Sequence, residues 1–209
     1  FEGDATKEIR LLRGFKNRFG GTSEVGIFEM SAKGLISAKD IAQRFFTRGK
    51  AVSGSALSVV MEGSRALVLE IQALVCESAY PKRSSTGYEK NRLDMLLALL
   101  ERKLGLALGH YDVFVNVSGG VKINETAADL AVVAAIISSF KNRPLSKDSV
   151  FIGELSLNGE IREVFSLDVR LKEAAMQKFK SAIVPAQPLE KVGIKCFVTK
   201  ELSQVLEWM

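Results

Sequence analysis

The stretch VFVNVSGGVKINETAADLAVVAAIISSF, residues 113–140, decides how the chain is read. Val113, Val115 and Val117 alternate with Phe114 and Asn116, the period of a half-buried strand, and the run breaks at Ser118-Gly119-Gly120. From Glu125 to Phe140 the residues are apolar and rich in alanine, a pattern that predicts a buried helix lying close against a sheet. Working outward, Leu93, Leu96, Leu97, Leu100 and Leu104 recur at helical spacing within Tyr88–Leu104, and Gly105 is placed to end that helix. Further upstream, Ala56–Met61 and Ala66–Val75 are strand-like, with Glu62-Gly63-Ser64-Arg65 as the turn of a hairpin. Downstream, Phe151–Leu157 and Glu160–Val164 flank Asn158-Gly159, a strong hairpin signal. A helix capped by Ser166 is predicted through Lys178, then strands at Ala182–Val184 and Lys195–Val198 and a short amphipathic helix from Glu201 to Trp208. Strands and helices mixed in this order predict an α+β domain rather than strict βαβ repetition.

The first 53 residues read differently. They offer a start near Arg10-Leu11-Leu12, a strand at Val25–Met30 and a short helix from Ala38 to Phe46 with Ser37 as N-cap. So few residues bury too little apolar surface to fold well alone, so poor order or borrowing by a partner is expected of them. Phe1 is not an initiator methionine, and a piece of a longer protein is expected. Residues 1–53 carry ten Lys/Arg against six Asp/Glu, and residues 54–209 carry nineteen against eighteen, so any basic surface on the larger part must be local. With 47% hydrophobic and 25% charged residues the chain is no disordered polyelectrolyte. No apolar run approaches the ~18 residues of a membrane span, and a cytoplasmic protein is expected. Cys76 and Cys196 both fall in apolar strand-like runs and are expected to be buried thiols. His110, the sole histidine, has Asp112 nearby but no metal or triad partners, and reads as a loop or packing residue.

Lys16-Asn17-Arg18-Phe19-Gly20, followed by the strand at Glu24–Met30, resembles the KNRFG signature of the bacterial RadA (Sms) DNA-repair family. Phe1–Asp4, Tyr88–Leu104, Asn116–Asp129, Gly153-Glu154 and Ala182–Pro185 follow in that family's order, so the resemblance covers nearly the whole chain. It implies that residues 1–53 finish a RecA-like α/β ATPase domain. Residues 54–209 would then adopt the ribosomal protein S5 domain 2-like, or Lon protease-like, fold. A zinc finger and an ATP/Mg site with Walker motifs would belong to a preceding region; no Gly-rich phosphate loop exists here, and no cofactor is expected in this chain.

Proteolytic relatives with the Lon-like fold use a serine at the head of an Ala-rich helix and a lysine on a later helix. Here the matching stretch is Asn124–Asp129, and Ala127 stands at the serine's place. The lysine position falls near Asp168–Arg170, where neither carboxylate nor guanidinium serves as a neutral amine base. Thr126 and Lys172 are the nearest substitutes.

By the same resemblance, Lys16 and Arg18 would reach a neighbouring subunit's nucleotide phosphates and couple ATP hydrolysis to DNA engagement, with Asn17, Phe19 and Gly20 shaping the loop. Lys82, Arg83, Lys90 and Arg92 form a local basic cluster opposed only by Glu89. Cations at a helix start forgo the favourable dipole interaction, so their presence asks for another reason. Arg83, Arg92 and Lys122 are the candidate DNA contacts, neutralising phosphates without reading bases; a solvated charged face is the alternative. Lys141 and Arg143 fit a helix end, and Glu154 and Asp129 suit interdomain or intersubunit ion pairs in a ring. The function implied is an oligomerisation and DNA-binding module of a DNA-dependent ATPase that promotes branch migration in recombinational repair. Its partners would be single-stranded or branched DNA, further copies in a hexamer, and the recombinase RecA. A purely structural ring-former and a cryptic peptidase are the alternatives.

Overall fold

A computed structural model describes residues 9–13, 25–31, 34–37, 45–190 and 192–208. The helix expected from Ala38 lies outside them except for Phe45 and Phe46, as does the KNRFG motif. Ile9–Arg13 (β1), Val25–Ser31 (β2) and Gly34–Ser37 (β3) form an antiparallel sheet in that order, and β2 is the strand expected at Val25–Met30.

The hairpin of β4 (Ser55–Glu62) and β5 (Arg65–Glu77) divides the rest of the molecule. It belongs to a four-stranded sheet of order β4-β5-β7-β6, where β6 is Arg83–Thr86 and β7 is Tyr111–Val117. All neighbours are antiparallel except β6, which runs parallel to β7. Successive strand residues face opposite ways. Ala56 and Val60 therefore join a core with the helices α1 (Lys90–Leu104) and α2 (Asp129–Phe140), while Leu57 and Val59 join a second core on the other face. That second core lies against α3 (Leu167–Met176) and a parallel sheet of order β12-β11-β8. Its strands are β8 (Ser149–Phe151), β11 (Ser181–Pro185) and β12 (Lys195–Thr199). The fold is thus mixed α/β, its two cores meeting on the antiparallel-dominated β4-β5-β7-β6 sheet, with the β12-β11-β8 sheet parallel.

Several expectations hold and several change. α1 spans the Leu-rich repeat, capped by Glu89, whose carboxylate accepts the Asn91 and Arg92 N–H groups, and closed by Gly105 at φ 65°. The Ala-rich helix begins later than expected: Thr126–Ala128 is a 3-10 turn, and α2 proper starts at Asp129. The Asn158-Gly159 hairpin is short, pairing only β9 (Glu154–Leu155) with β10 (Ile161–Arg162). Phe151 pairs with Ile183 in the parallel sheet instead, because an apolar run buried on both faces suits a parallel strand as well as a hairpin. Ser166 precedes α3 but adopts φ 54° and makes no side-chain cap bond. The last helix is a 3-10 segment, Leu202–Trp208. Neither cysteine is buried: Cys76 is exposed and Cys196 half-buried. Beyond Ile71 only one face of β5 is covered, and Cys76 shares the open face with Gln72 and Leu74. No helix among the described residues is long and apolar enough to cross a membrane.

Candidate functional site

Chain direction and glycine geometry bring the head of α2 to its place. After β7 a tight turn, Ser118–Gly120, puts Gly119 at φ 72° against the ring of Phe45; a Cβ there would lie 2.3 Å from Phe45 Cδ1. The chain then reaches Ala127, whose carbonyl accepts the Gly153 N–H at 2.8 Å, while Gly153 O accepts from Leu130 N at 3.1 Å. Ala127 is 4% exposed, so a buried methyl occupies the position matched to the serine.

Arg170 lies in the stretch Asp168–Arg170, near which the lysine position falls. Its guanidinium is 1% exposed and donates to both oxygens of Glu125 at 2.6 Å. It also donates to the carbonyls of Val59 at 2.7 Å and Phe165 at 3.0 Å, and Glu125 in turn accepts the Met61 N–H at 2.8 Å. These contacts tie α3, β4 and the turn before α2 together. The substitute pair is not assembled: Thr126 donates its hydroxyl to Glu154 at 2.5 Å, and Lys172 lies on the exposed side of α3 facing Glu190 at 3.1 Å and Asp168 at 3.7 Å. Glu190 holds the Lys172 amine above its ordinary pKa, the opposite of what a neutral general base requires.

A second buried network lies at the start of α1. Asp129, 0% exposed, accepts the Tyr88 hydroxyl at 2.5 Å and the Leu155 N–H at 3.0 Å, and forms a short ion pair with Arg92. Arg92 also donates to Leu155 O at 2.5 Å. Burial pushes the Asp129 carboxyl above the usual carboxylate range against the pull of Arg92, Tyr88 and Leu155 N–H. Burial and the Asp129 charge together push the Tyr88 phenol far upward, so it stays a donor. The hydrogen bond to Asp129 raises the Arg92 pKa, so the guanidinium stays charged. The unexplained cation at the start of α1 therefore has a structural partner.

A third cluster joins Ser55, Glu70 and Lys147. The Lys147 amine donates to Ser55 Oγ at 2.6 Å and Glu70 Oε1 at 2.7 Å; Ser55 donates to the same oxygen at 2.5 Å, and Thr47 N–H to Glu70 Oε2 at 3.1 Å. Although serine and lysine touch, the carboxylate claims both protons, and the group works as a clasp on the chain entering β4. Burial would raise the Glu70 pKa, but Lys147, Ser55 and the Thr47 N–H outweigh it and hold it below the usual range. Its native form thus binds fewer protons than its unfolded form in that window, so its stabilisation is full above the ordinary glutamate pKa and fades as pH falls through the lowered one. Thermal melts should show a gap between the wild type and Glu70→Gln at pH 7 that narrows toward pH 3; a gap independent of pH refutes the clasp.

The three candidate DNA contacts are placed differently. Arg92 has its guanidinium turned inward, with 21% of its side chain exposed. Arg83 is 30% exposed and leans on Glu101 at 3.7 Å. Lys122 is exposed and makes no ion pair among the described residues. Its neighbour Ile123 donates to Gly87 O at 2.7 Å, which sets the Lys122 loop beside the end of β6. Lys90 pairs with Asp94 at 2.7 Å within α1. His110 is an exposed residue ending the 3-10 turn Leu108–His110, its carbonyl accepting from Ser78 N, and Lys141 caps the end of α2. No cluster of three metal-ligating side chains occurs among the described residues. The partners in these networks are 37, 45 and 77 positions apart, so sequence spacing carried no signal for them.

Residues 89–188 match the family model described as subunit ChlI of magnesium chelatase. Over its whole length the chain is 88% identical to the DNA repair protein RadA of Campylobacter jejuni and 53% identical to that of Helicobacter pylori. It is 48% identical to the Escherichia coli protein of the same name over 98% of its residues. The chain spans about half the length of these relatives: 47%, 47% and 46%.

Proposed function

Because this chain belongs, along its whole length, to the RadA family of DNA repair proteins, we propose that it acts in repair as a DNA-gripping and ring-forming module without chemistry of its own. In this reading residues 54–209 are a Lon-like domain whose proteolytic dyad has been replaced by Ala127 and the Arg170–Glu125 pair. Residues 1–53 are the end of a RecA-like ATPase domain. Lys16 to Gly20 couple ATP hydrolysis to DNA, and the ATP/Mg site and zinc finger belong to the rest of the protein. The assembly is a cytoplasmic hexamer that drives branch migration, alongside RecA, on single-stranded or branched DNA.

The observation that carries the DNA contact is Lys122: an exposed ammonium on a glycine-turned loop with no carboxylate to satisfy it among the described residues. Arg83, partly exposed and only loosely paired, adds a second charge at the β6 edge, and Arg92 holds that edge in place through Asp129. Each phosphate contact releases counterions, so affinity falls with salt, and removing one contact lowers the log–log slope for single strands by roughly 0.7. Titration of the chain with single-stranded DNA across salt concentrations should give a shallower slope for Lys122→Glu and for Arg83→Glu than for the wild type. Equal slopes reject the DNA contact and leave a structural ring-former.

A further inference from the structure

The open face of the four-stranded sheet carries an unpartnered aromatic. Phe114 on β7 stands directly opposite Leu74 on β5, and they are 37% and 57% exposed. One step along the same face, Asn116 stands opposite Gln72 and donates to its amide oxygen at 3.3 Å. On the edge strand β6, Ser84 is level with Phe114 and Thr86 with Asn116, and both are exposed. The face is therefore a central ring and one aliphatic side chain framed by amides and hydroxyls, with Cys76 opposite Asp112 continuing it at one end. Each amide keeps unused donors and acceptors.

Charge sits at both ends of this face. Lys82 immediately precedes β6, its carbonyl accepting from Val113 N, and Lys122 lies beside Gly87 just past the other end. Both are exposed and neither forms an ion pair among the described residues. Gly87 lies five residue steps along the extended chain from Lys82, about 16 Å at the strand rise. Of the acids on this edge, Asp112 already accepts the Lys82 N–H at 2.6 Å.

We propose that this sheet face is a stacking platform for single-stranded nucleic acid, in which a base lies on Phe114 beside Leu74 and the strand runs along β6 with phosphates at Lys82 and Lys122. The inference rests on the DNA-binding reading above and gives it a strand preference that phosphate contacts alone lack. A π-face on a sheet, bordered by cations, suits unpaired bases, whose flat surfaces are hidden in a duplex. A second protein copy would be expected to meet a broader apolar patch than two side chains ringed by amides and hydroxyls.

The test measures binding of fluorescently labelled oligothymidylate, an abasic strand of equal length and a duplex to the chain and its variants. Phe114→Ala should weaken oligothymidylate binding roughly 5- to 150-fold, the range for losing one base–aromatic stack. Its salt slope should stay unchanged, and abasic-strand and duplex binding should stay at wild-type levels. Phe114→Leu, which keeps the apolar bulk, should show the same loss, and Phe114→Trp should restore binding. Equal affinities for wild type, Phe114→Ala and Phe114→Leu overturn the platform while leaving the salt-dependent contacts standing. A changed sedimentation profile in both variants assigns the face to a second copy and overturns it as well. If oligothymidylate fails to bind the wild-type chain, both readings fall together.

Discussion

Arg170→Ala is expected to destabilise the chain by about 3 kcal/mol or more, lowering the unfolding midpoint by roughly 6–15 °C at this size. The guanidinium is 1% exposed and uses all three nitrogens, so truncation leaves a void and strips Val59 O of its donor. Glu125 keeps only the Met61 N–H, and because its side chain is 24% exposed, water can reach it and hold the cost toward the lower end of the range for broken buried pairs. Arg170→Lys should recover little, since a single ammonium cannot span both Glu125 oxygens and two carbonyls. Replacing the pair together by Arg170→Met with Glu125→Gln should cost clearly less than Arg170→Ala alone, because no unpaired charge remains and the amide still serves Met61 N–H. Urea and thermal unfolding of the three variants decide the matter. If Arg170→Ala melts with the wild type, the contacts that tie α3 to β4 carry no weight, and the view of this position as a structural strut fails.

Local periodicity and long-range pairing differ sharply in what the sequence reveals. Leu93, Leu96, Leu97 and Leu100 are all buried at 0%, and their 3.6-residue spacing together with Gly105 locates α1 almost to the residue. Val113, Val115 and Val117 are likewise inward, as their alternation requires. β5 defeats the same reasoning, because thirteen consecutive residues change regime midway. Its first half is covered on both faces and its second half on one, so Leu74 and Cys76 are apolar yet exposed. Composition cannot mark where a neighbouring layer ends. That Ala127 offers no hydroxyl was legible in the sequence, since a nucleophile is a property of one residue. The role of Arg170 was legible only in part: it is visible as a residue that is not lysine, but its partner Glu125 lies 45 positions away. The same distance effect hid the reason for Arg92, a charge that is local in sequence and satisfied remotely.

That reason yields the second large effect. Asp129→Ala is expected to cost about 3–5 kcal/mol, because it removes the acceptor for the Tyr88 hydroxyl and the Leu155 N–H and the only carboxylate that pairs with the Arg92 guanidinium among the described residues. The Arg92 Nε already lacks a partner, so the guanidinium keeps only neutral neighbours among the described residues, Leu155 O and the Tyr88 hydroxyl. Arg92→Ala should cost less, since the abandoned Asp129 carboxyl, already raised by burial, can take up a proton rather than remain a buried charge. The double variant should be more stable than the sum of the two losses implies, with a coupling of roughly 0.5–3 kcal/mol typical of residues in one network. The consequence for DNA follows from the same geometry. At a temperature where Arg92→Ala is still folded, its salt slope for single-stranded DNA should equal that of the wild type, whereas Lys122→Glu should be shallower. A slope reduced by Arg92→Ala with the melting point untouched would make Arg92 a phosphate ligand, and the inward ion pair with Asp129 could then not be the arrangement that binds DNA.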